Sequence, residues 1–421
     1  MRILFVHQYF PGQFKFLAAS LAAQGHEVVT LTHQPLVSPS SSLWEGVKVV
    51  SYHLVREYAP SIQPWLEDLE KKVVNGESCL LAAMKLKEEG FRPDIVISHT
   101  TWGECLFLKE VWPSAKFGIY FDCFFNLDDQ YIAFDPEFQQ HSPLDRCWMK
   151  IRNINYMLHF EMADAGICPT HWQHSTYPDI FRSKISVIHD GINTDQFIPN
   201  PHVSLQLSNQ TGQLFALTPT DKIITFISRN LEPCRGFHIF MRSLPEILGR
   251  HPNARVIIVG SNDTDSLKPD SQRYNGMTWR DIFTEEIRIK IPQQLWNRVS
   301  FLGKIPYKYF IPLLQLSTVH VHMSYPLVLS WTPLEAMSTG CVIVASNTPP
   351  VREFITHNQT GRLVDFFDTS ALANHVCELL DNPDERQRLS SNAREFVKAY
   401  YDLKRICLPK QLAWVEAMIS S

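Results

Sequence analysis

A chain of 421 residues that is 45 % hydrophobic has room for two domains, each with a buried core of its own. The formal net charge of -4 offers no broad basic surface, which argues against nucleic acid as the main partner. Nine scattered cysteines with no C-x-x-C pair point to free thiols in a reducing compartment rather than a disulfide framework or a zinc site.

The chain starts Met-Arg-Ile-Leu-Phe-Val and reaches a Pro-Gly turn without the long apolar run of a signal peptide. No stretch approaches the roughly 18 consecutive apolar residues that a membrane span requires. A cytoplasmic protein is expected. Its 12 % aromatic content leaves room for peripheral contact with the inner face of a membrane.

Arg2 to His7 reads as a strand, Gln8 to Gln13 as a loop, Phe14 to Gln24 as an amphipathic helix stopped by Gly25, and Val28 to Thr32 as the next strand. This is the unit of a parallel sheet with crossover helices. Further strands are expected at Val47-Ser51, Ile95-Ser98, Phe117-Phe121, Ala165-Cys168 and Ile185-Ile188. The alternation argues for an α/β, doubly wound domain over residues 1–197, with ligands at the carboxyl ends of its strands. Those ends carry His7, His99 and Asp122. His7 precedes Pro11-Gly12, whose backbone can approach a ligand closely or simply turn, with His7 satisfying a backbone group. Asp122 sits among aromatics and either holds a sugar hydroxyl or caps a helix. Residues 126 to 145 lack periodicity and are expected to shape an acceptor pocket.

Residues 198–220 are rich in Pro, Asn, Ser, Thr and Gln and read as an interdomain linker. A second Rossmann-like series over 221–392 follows, with strands at Ile223-Ile227, Arg255-Val259, Val299-Leu302, Val319-Met323 and Val342-Ala345. Two such halves are expected to face one another across a cleft suited to two separately bound substrates. Arg229 and Arg235, with Gly236 opening a helix, can converge on a diphosphate or stand solvated in a loop. Farther on, either Ser330 or Thr332 is the N-cap of a helix with Pro333 in its first turn. Thr332-Pro-Leu-Glu335 matches a capping box, which gives Glu335 a structural reading beside a functional one as a grip on ribose. The amides of Ser330, Trp331 and Thr332 would then hold phosphate. Lys304 and Ile305, just past the strand Val299-Leu302, join the expected donor-binding set, as does Gly12.

These motifs together resemble the retaining glycosyltransferases of family 4. The resemblance runs from Gly25-His-Glu-Val28 through Ile185-Ser-Val-Ile-His-Asp-Gly-Ile192 and Arg229/Arg235 to Leu334-Glu-Ala-Met-Ser-Thr-Gly-Cys-Val-Ile-Val-Ala345 and Asn358-Gln-Thr-Gly-Arg-Leu-Val364. It implies the GT-B fold, with two Rossmann-like domains. It also implies a nucleoside diphosphate sugar as donor and a carbohydrate, lipid-linked or small-molecule acceptor. By the same resemblance Arg229 and Arg235 bind the diphosphate, with arginine where relatives usually have lysine, and Glu335 holds ribose. Leu327 stands where relatives carry a glutamate that touches the donor sugar, and Phe121-Asp122 replaces a His-Asp-like pair. Both departures look like features of a bacterial subgroup, with Asp122 or backbone amides taking over the sugar contact. Asp122 is accordingly grouped with the two arginines as catalytic, and His7 and His99 are placed on the acceptor side.

No D-x-D-like strand-end motif marks a metal site, so no metal or other cofactor is expected. The leading expectation is a retaining glycosyltransferase. The rivals are a nucleotide-sugar epimerase or phosphorylase on the same fold, and a non-catalytic sugar-nucleotide-binding subunit. The resemblance also implies that a helix over residues 393–421, kinked at Pro409, crosses back onto the first domain.

Overall fold

β-branched and aromatic runs between glycines and prolines become the strands of two parallel sheets in a computed structural model, which describes residues 1–34, 46–59, 62–126, 134–138, 142–208, 212, 214–263 and 274–420. The chain divides into two compact units, one of residues 1–190 and 404–421 and the other of residues 191–403.

The first unit holds β1 (Arg2–Val6), β2 (Glu27–Thr32), β3 (Val47–Ser51), β4 (Ile95–His99), β5 (Lys116–Tyr120), β6 (Ala165–Cys168) and β7 (Ile185–Val187). They form one seven-stranded sheet in the order β3-β2-β1-β4-β5-β6-β7, parallel throughout. Ile3, Leu4, Phe5 and Val6 are buried on alternate faces of β1, the near-continuous apolar run of a strand covered on both sides. The chain order reverses between β1 and β4. Outside the carboxyl ends of two such strands, loops lead away in opposite directions and leave a crevice.

The second unit opens with an antiparallel ribbon of β8 (Leu205–Ser208) and β9 (Leu214–Leu217). Its sheet consists of β10 (Ile223–Asn230), β11 (Arg255–Ser261), β12 (Val299–Gly303), β13 (Val319–His322), β14 (Val342–Ser346) and β15 (Arg362–Val364). Their order is β12-β11-β10-β13-β14-β15, again parallel, with the reversal between β10 and β13.

Three expectations about boundaries need correction. Residues 198–220 are not a bare linker: Leu205 and Leu207 alternate with exposed Gln206 and Ser208, and the ribbon packs its apolar side into the core of the second unit. The first division falls after Asp190 rather than at residue 197, because the Ile192 amide donates to the Tyr401 carbonyl and Ser338 Oγ donates to the Phe197 carbonyl, both inside the second unit. The return to the first unit starts at residue 404, not 393, since the helix Pro383–Tyr400 buries Leu389, Ala393 and Val397 in the second unit. The break is a wide helical turn at Leu403–Cys407, and Pro409 lies in the first turn of the final helix Leu408–Ser420, where its missing N–H is harmless. That helix packs Trp414, Val415 and Met418 onto the first sheet, where a Cβ on Gly118 would stand 2.6 Å from Trp414. Of the acceptor segment expected at 126–145, residues 127–133 and 139–141 lie outside the described residues, and the helix Pro143–Met162 begins within its end.

Candidate active site

In the second unit the two arginines meet at the crevice between β10 and β13. Arg229 is the penultimate residue of β10, and Arg235 ends the short 3-10 turn Pro233–Arg235. The next residue, Gly236, sits at φ 67° and N-caps the helix Phe237–Arg250. Only glycine fits there: a Cβ would lie 2.1 Å from Met323 Cβ. The Tyr325 amide donates to the Cys234 carbonyl at 2.9 Å and so ties the arginine turn to the segment after β13. Ser346 Oγ in turn accepts from the Ser324 amide at 3.0 Å.

Beside these contacts lies a cavity of about 150 Å³ lined by Ser228, Arg229, Arg235, His322, Leu329 and Ser330, among others. Val328 and Leu329, just after Leu327, give it an apolar side. Arg235 Nε is buried with no hydrogen-bond partner among the described residues. A guanidinium so placed has donors to spend on a ligand.

His322 is a lining residue that the sequence reading missed. Burial, together with His320 and Arg235, holds its pKa down to about 3, so it enters the site as a neutral imidazole. The signal lay in Val-His-Val-His: the period of two puts His320 and His322 on one face, and His322 is the last residue of β13, at the ligand end.

Ser330 is the N-cap of the helix Trp331–Ser338, accepting from the Thr332 amide at 3.3 Å. Thr332 is therefore not the cap, its amide is already engaged, and no Thr332/Glu335 capping box forms. Glu335, buried at 4 % exposure, instead accepts from Tyr307 Oη at 2.7 Å. That hydroxyl is held above the usual phenol range by desolvation and by the facing carboxylate.

Lys304 and Ile305 do not line the cavity. Lys304 is exposed and pairs with Asp263 at 3.1 Å, while Ile305 packs against the core. Asp263 is pulled below the usual carboxylate range by hydrogen bonds from Ser261 and Lys304, with a smaller contribution from Arg229.

His7, His99, Gly12 and Asp122 belong to the first unit. The first three come together at its own crevice between β1 and β4. Gly12, expected with the donor set, lies against the imidazole of His7, which a Cβ would meet at 2.3 Å. His7 Nδ1 accepts from the Tyr9 amide at 3.0 Å, and His99 Nδ1 from the Thr101 amide at 3.2 Å. The side chain of Gln13 stands between the two rings. Trp102 closes the group, its ring 4.7 Å from His7 and 4.9 Å from His99. Both histidines are held below the usual imidazole range by burial, His7 at about 4. Asp122 follows β5, and its backbone carbonyl accepts from Gln173 Nε2 at 2.6 Å.

No disulfide is present, and none of the described helices is long and apolar enough to cross a membrane.

Comparison with known proteins agrees with the doubly wound fold of the two units. Residues 24–197 match the glycosyl transferase family 4 group, and residues 215–396 match the glycosyl transferases group 1. The D-inositol 3-phosphate glycosyltransferase of Corynebacterium efficiens is 23 % identical over 219 residues, 52 % of this chain and 47 % of the relative. The chain thus spans about half the length of the curated relatives it first matches. Among solved structures, the sucrose-phosphate synthase of Thermosynechococcus elongatus superposes with a TM-score of 0.70 at 17 % identity, covering 100 % of both chains. HepE of Anabaena in complex with UDP-glucose gives 0.66 at 15 % identity over 99 % of each. With one glycosyltransferase model on each of its two doubly wound units, the chain belongs to the family 4 type of glycosyltransferase and has the GT-B fold.

Proposed function

We propose that the protein is a retaining glycosyltransferase that moves a sugar from a nucleoside diphosphate sugar to a hydroxyl of a carbohydrate, lipid-linked or small-molecule acceptor. The observation that carries this reading is the cavity at the β10/β13 crevice, where Arg229, Arg235 and the start of the helix Trp331–Ser338 converge. Two guanidinium groups suit the bidentate oxygens of a diphosphate, and the helix N-terminus adds partial positive charge. HepE was crystallised with UDP-glucose, which supports a donor of this class.

As the bond from the anomeric carbon to the phosphate oxygen breaks, negative charge grows on the leaving diphosphate. Arg229 and Arg235 stabilise that charge, a contribution of roughly several kcal/mol at a preorganised site. Ser330 and His322 supply neutral polar contacts. Glu335, oriented by Tyr307, accepts from the ribose hydroxyls. The acceptor hydroxyl attacks on the face the diphosphate leaves, and the departing phosphate oxygen takes its proton, so configuration is retained. The arginines supply the positive charge, so no metal is required.

Incubation with UDP-glucose or GDP-mannose and a panel of acceptors, followed by NMR of the product's anomeric centre, tests this reading. Transfer with retention is expected, unchanged by EDTA. An inverted product, or epimerised donor without transfer, contradicts it.

A further inference from the structure

The group at the β1/β4 crevice contains a hydrogen-bond conflict that a ligand would resolve. His7 Nδ1 and His99 Nδ1 each accept from a backbone amide, Tyr9 and Thr101 respectively, so neither Nδ1 carries a proton. A neutral imidazole has one N–H, which both rings must place on Nε2. Both Nε2 atoms face the same amide: Gln13 Oε1 is 2.9 Å from His7 Nε2, and Gln13 Nε2 is 3.3 Å from His99 Nε2. The oxygen satisfies His7. The NH₂ then meets the N–H of His99, donor against donor. Turning the amide over moves the same conflict to the shorter contact with His7, so it survives either assignment of the amide atoms.

His7 and His99 are each 2 % exposed, and a buried donor without an acceptor is destabilising because its lost hydration is not replaced. The crevice nonetheless has a partly open rim of Tyr9, Gly12, Gln13 and Trp102. The Thr101 hydroxyl at the same strand end is also buried without a partner among the described residues. A group with lone pairs placed between Gln13 and His99 would accept from both.

We propose that an oxygen of the acceptor substrate completes this relay, accepting at once from His99 Nε2–H and the Gln13 amide, with the acceptor's ring packed on Trp102. Naming the ligand a carbohydrate rests on the transferase reading above. Two donors draw charge out of the oxygen they hold, which makes it a poorer nucleophile. The relay therefore anchors a non-reacting oxygen and fixes acceptor specificity, and Gln13 is a positioning residue. A sugar hydroxyl and a sugar phosphate oxygen share this chemistry.

The test is proton-coupled ¹⁵N NMR of histidine-labelled full-length protein. Both His7 and His99 are expected as Nε2–H tautomers. Finding His99 protonated on Nδ1 removes the conflict and overturns the proposal. Methyl α-glucoside and glucose 6-phosphate then serve as probes. A shift of the His99 Nε2–H signal with both assigns a hydroxyl, and a shift with the phosphate alone assigns a phosphate oxygen. No shift with either at tens of millimolar overturns the proposal. Gln13→Glu offers an oxygen to each ring, so it should preserve both tautomers while lowering affinity for the effective probe about a hundredfold, since the Gln13 N–H is gone and the His99 N–H is taken up by the carboxylate. Unchanged affinity contradicts the role of Gln13. Donor binding at Arg235 lies in the other unit and reports separately on the transferase reading.

Discussion

Tyr307 Oη donates to Glu335 Oε1 at 2.7 Å, and this hydrogen bond engages a carboxylate that a capping box would otherwise have used. Glu335 is buried while the ring of Tyr307 stays largely exposed, so the bond reaches inward from the surface. Tyr307→Phe should therefore lower stability by about 1 kcal/mol, the net worth of one hydrogen bond, and raise the donor KM more than it lowers kcat. Thermal melts and steady-state kinetics on the same variant check both. An effect on stability alone would confine Glu335 to a structural part.

Arg235 and Arg229 make separable predictions. Arg235→Ala should weaken nucleoside diphosphate binding by about a hundredfold, because it removes charge and bidentate donors together. Arg235→Lys should recover only part of that loss. The salt dependence of binding should fall in both Arg229→Ala and Arg235→Ala. Titrations at two ionic strengths read this out.

Gly236→Ala tests the turn that presents Arg235. With φ at 67° and Met323 Cβ 2.1 Å from the new methyl, backbone and neighbour must both move. The expected cost is more than about 2 kcal/mol in chemical denaturation, together with loss of nucleotide affinity. A normal melt with normal binding would show that the turn can reach Arg235's position another way.

Stability should fall on both sides of near-neutral pH. Glu104 is 1 % exposed and burial pushes its pKa up to about 8, so between the ordinary 4.5 and 8 the unfolded chain has lost a proton that the folded chain keeps. Folding stability drops as pH rises through that window. His159 and His189 behave oppositely: burial holds them at about 4 and about 3, and stability drops as pH falls below 6.5. Urea unfolding across pH should show, in Glu104→Gln, the decline from pH 6.5 to 8 flattened and the decline from pH 6.5 down to 4.5 steepened, because the opposing Glu104 contribution is gone.

The sheets were legible because their strands are short apolar runs with clear stops. Met1-Arg-Ile-Leu-Phe-Val and Val342-Ile-Val-Ala345 allow no other reading once buried on both faces. Polar composition misled at 198–220, where Leu205 and Leu207 carry the ribbon inward and Gln206 and Ser208 face out. Propensity could not find the unit boundary, which hydrogen bonds from residues far along the chain decide, such as Leu403 N–H to the Ile192 carbonyl at 2.9 Å. The Arg229/Arg235 pair was visible as a motif, and the structure puts both residues on one cavity. His322 carried a signal in the alternation Val-His-Val-His at the end of its strand, whereas Gln13, in the 3-10 turn Gly12–Phe14, carried none. What singles them out is the neighbouring strand that the sheet order supplies.

The proposed transfer requires the cavity of Arg229 and Arg235 to hold a diphosphate. Calorimetric titration of UDP and of uridine into wild type and Arg235→Ala measures it. UDP should bind wild type far more tightly than uridine, and the difference should largely vanish in Arg235→Ala. Equal binding of UDP and uridine to wild type, or an undiminished preference in the variant, would contradict it.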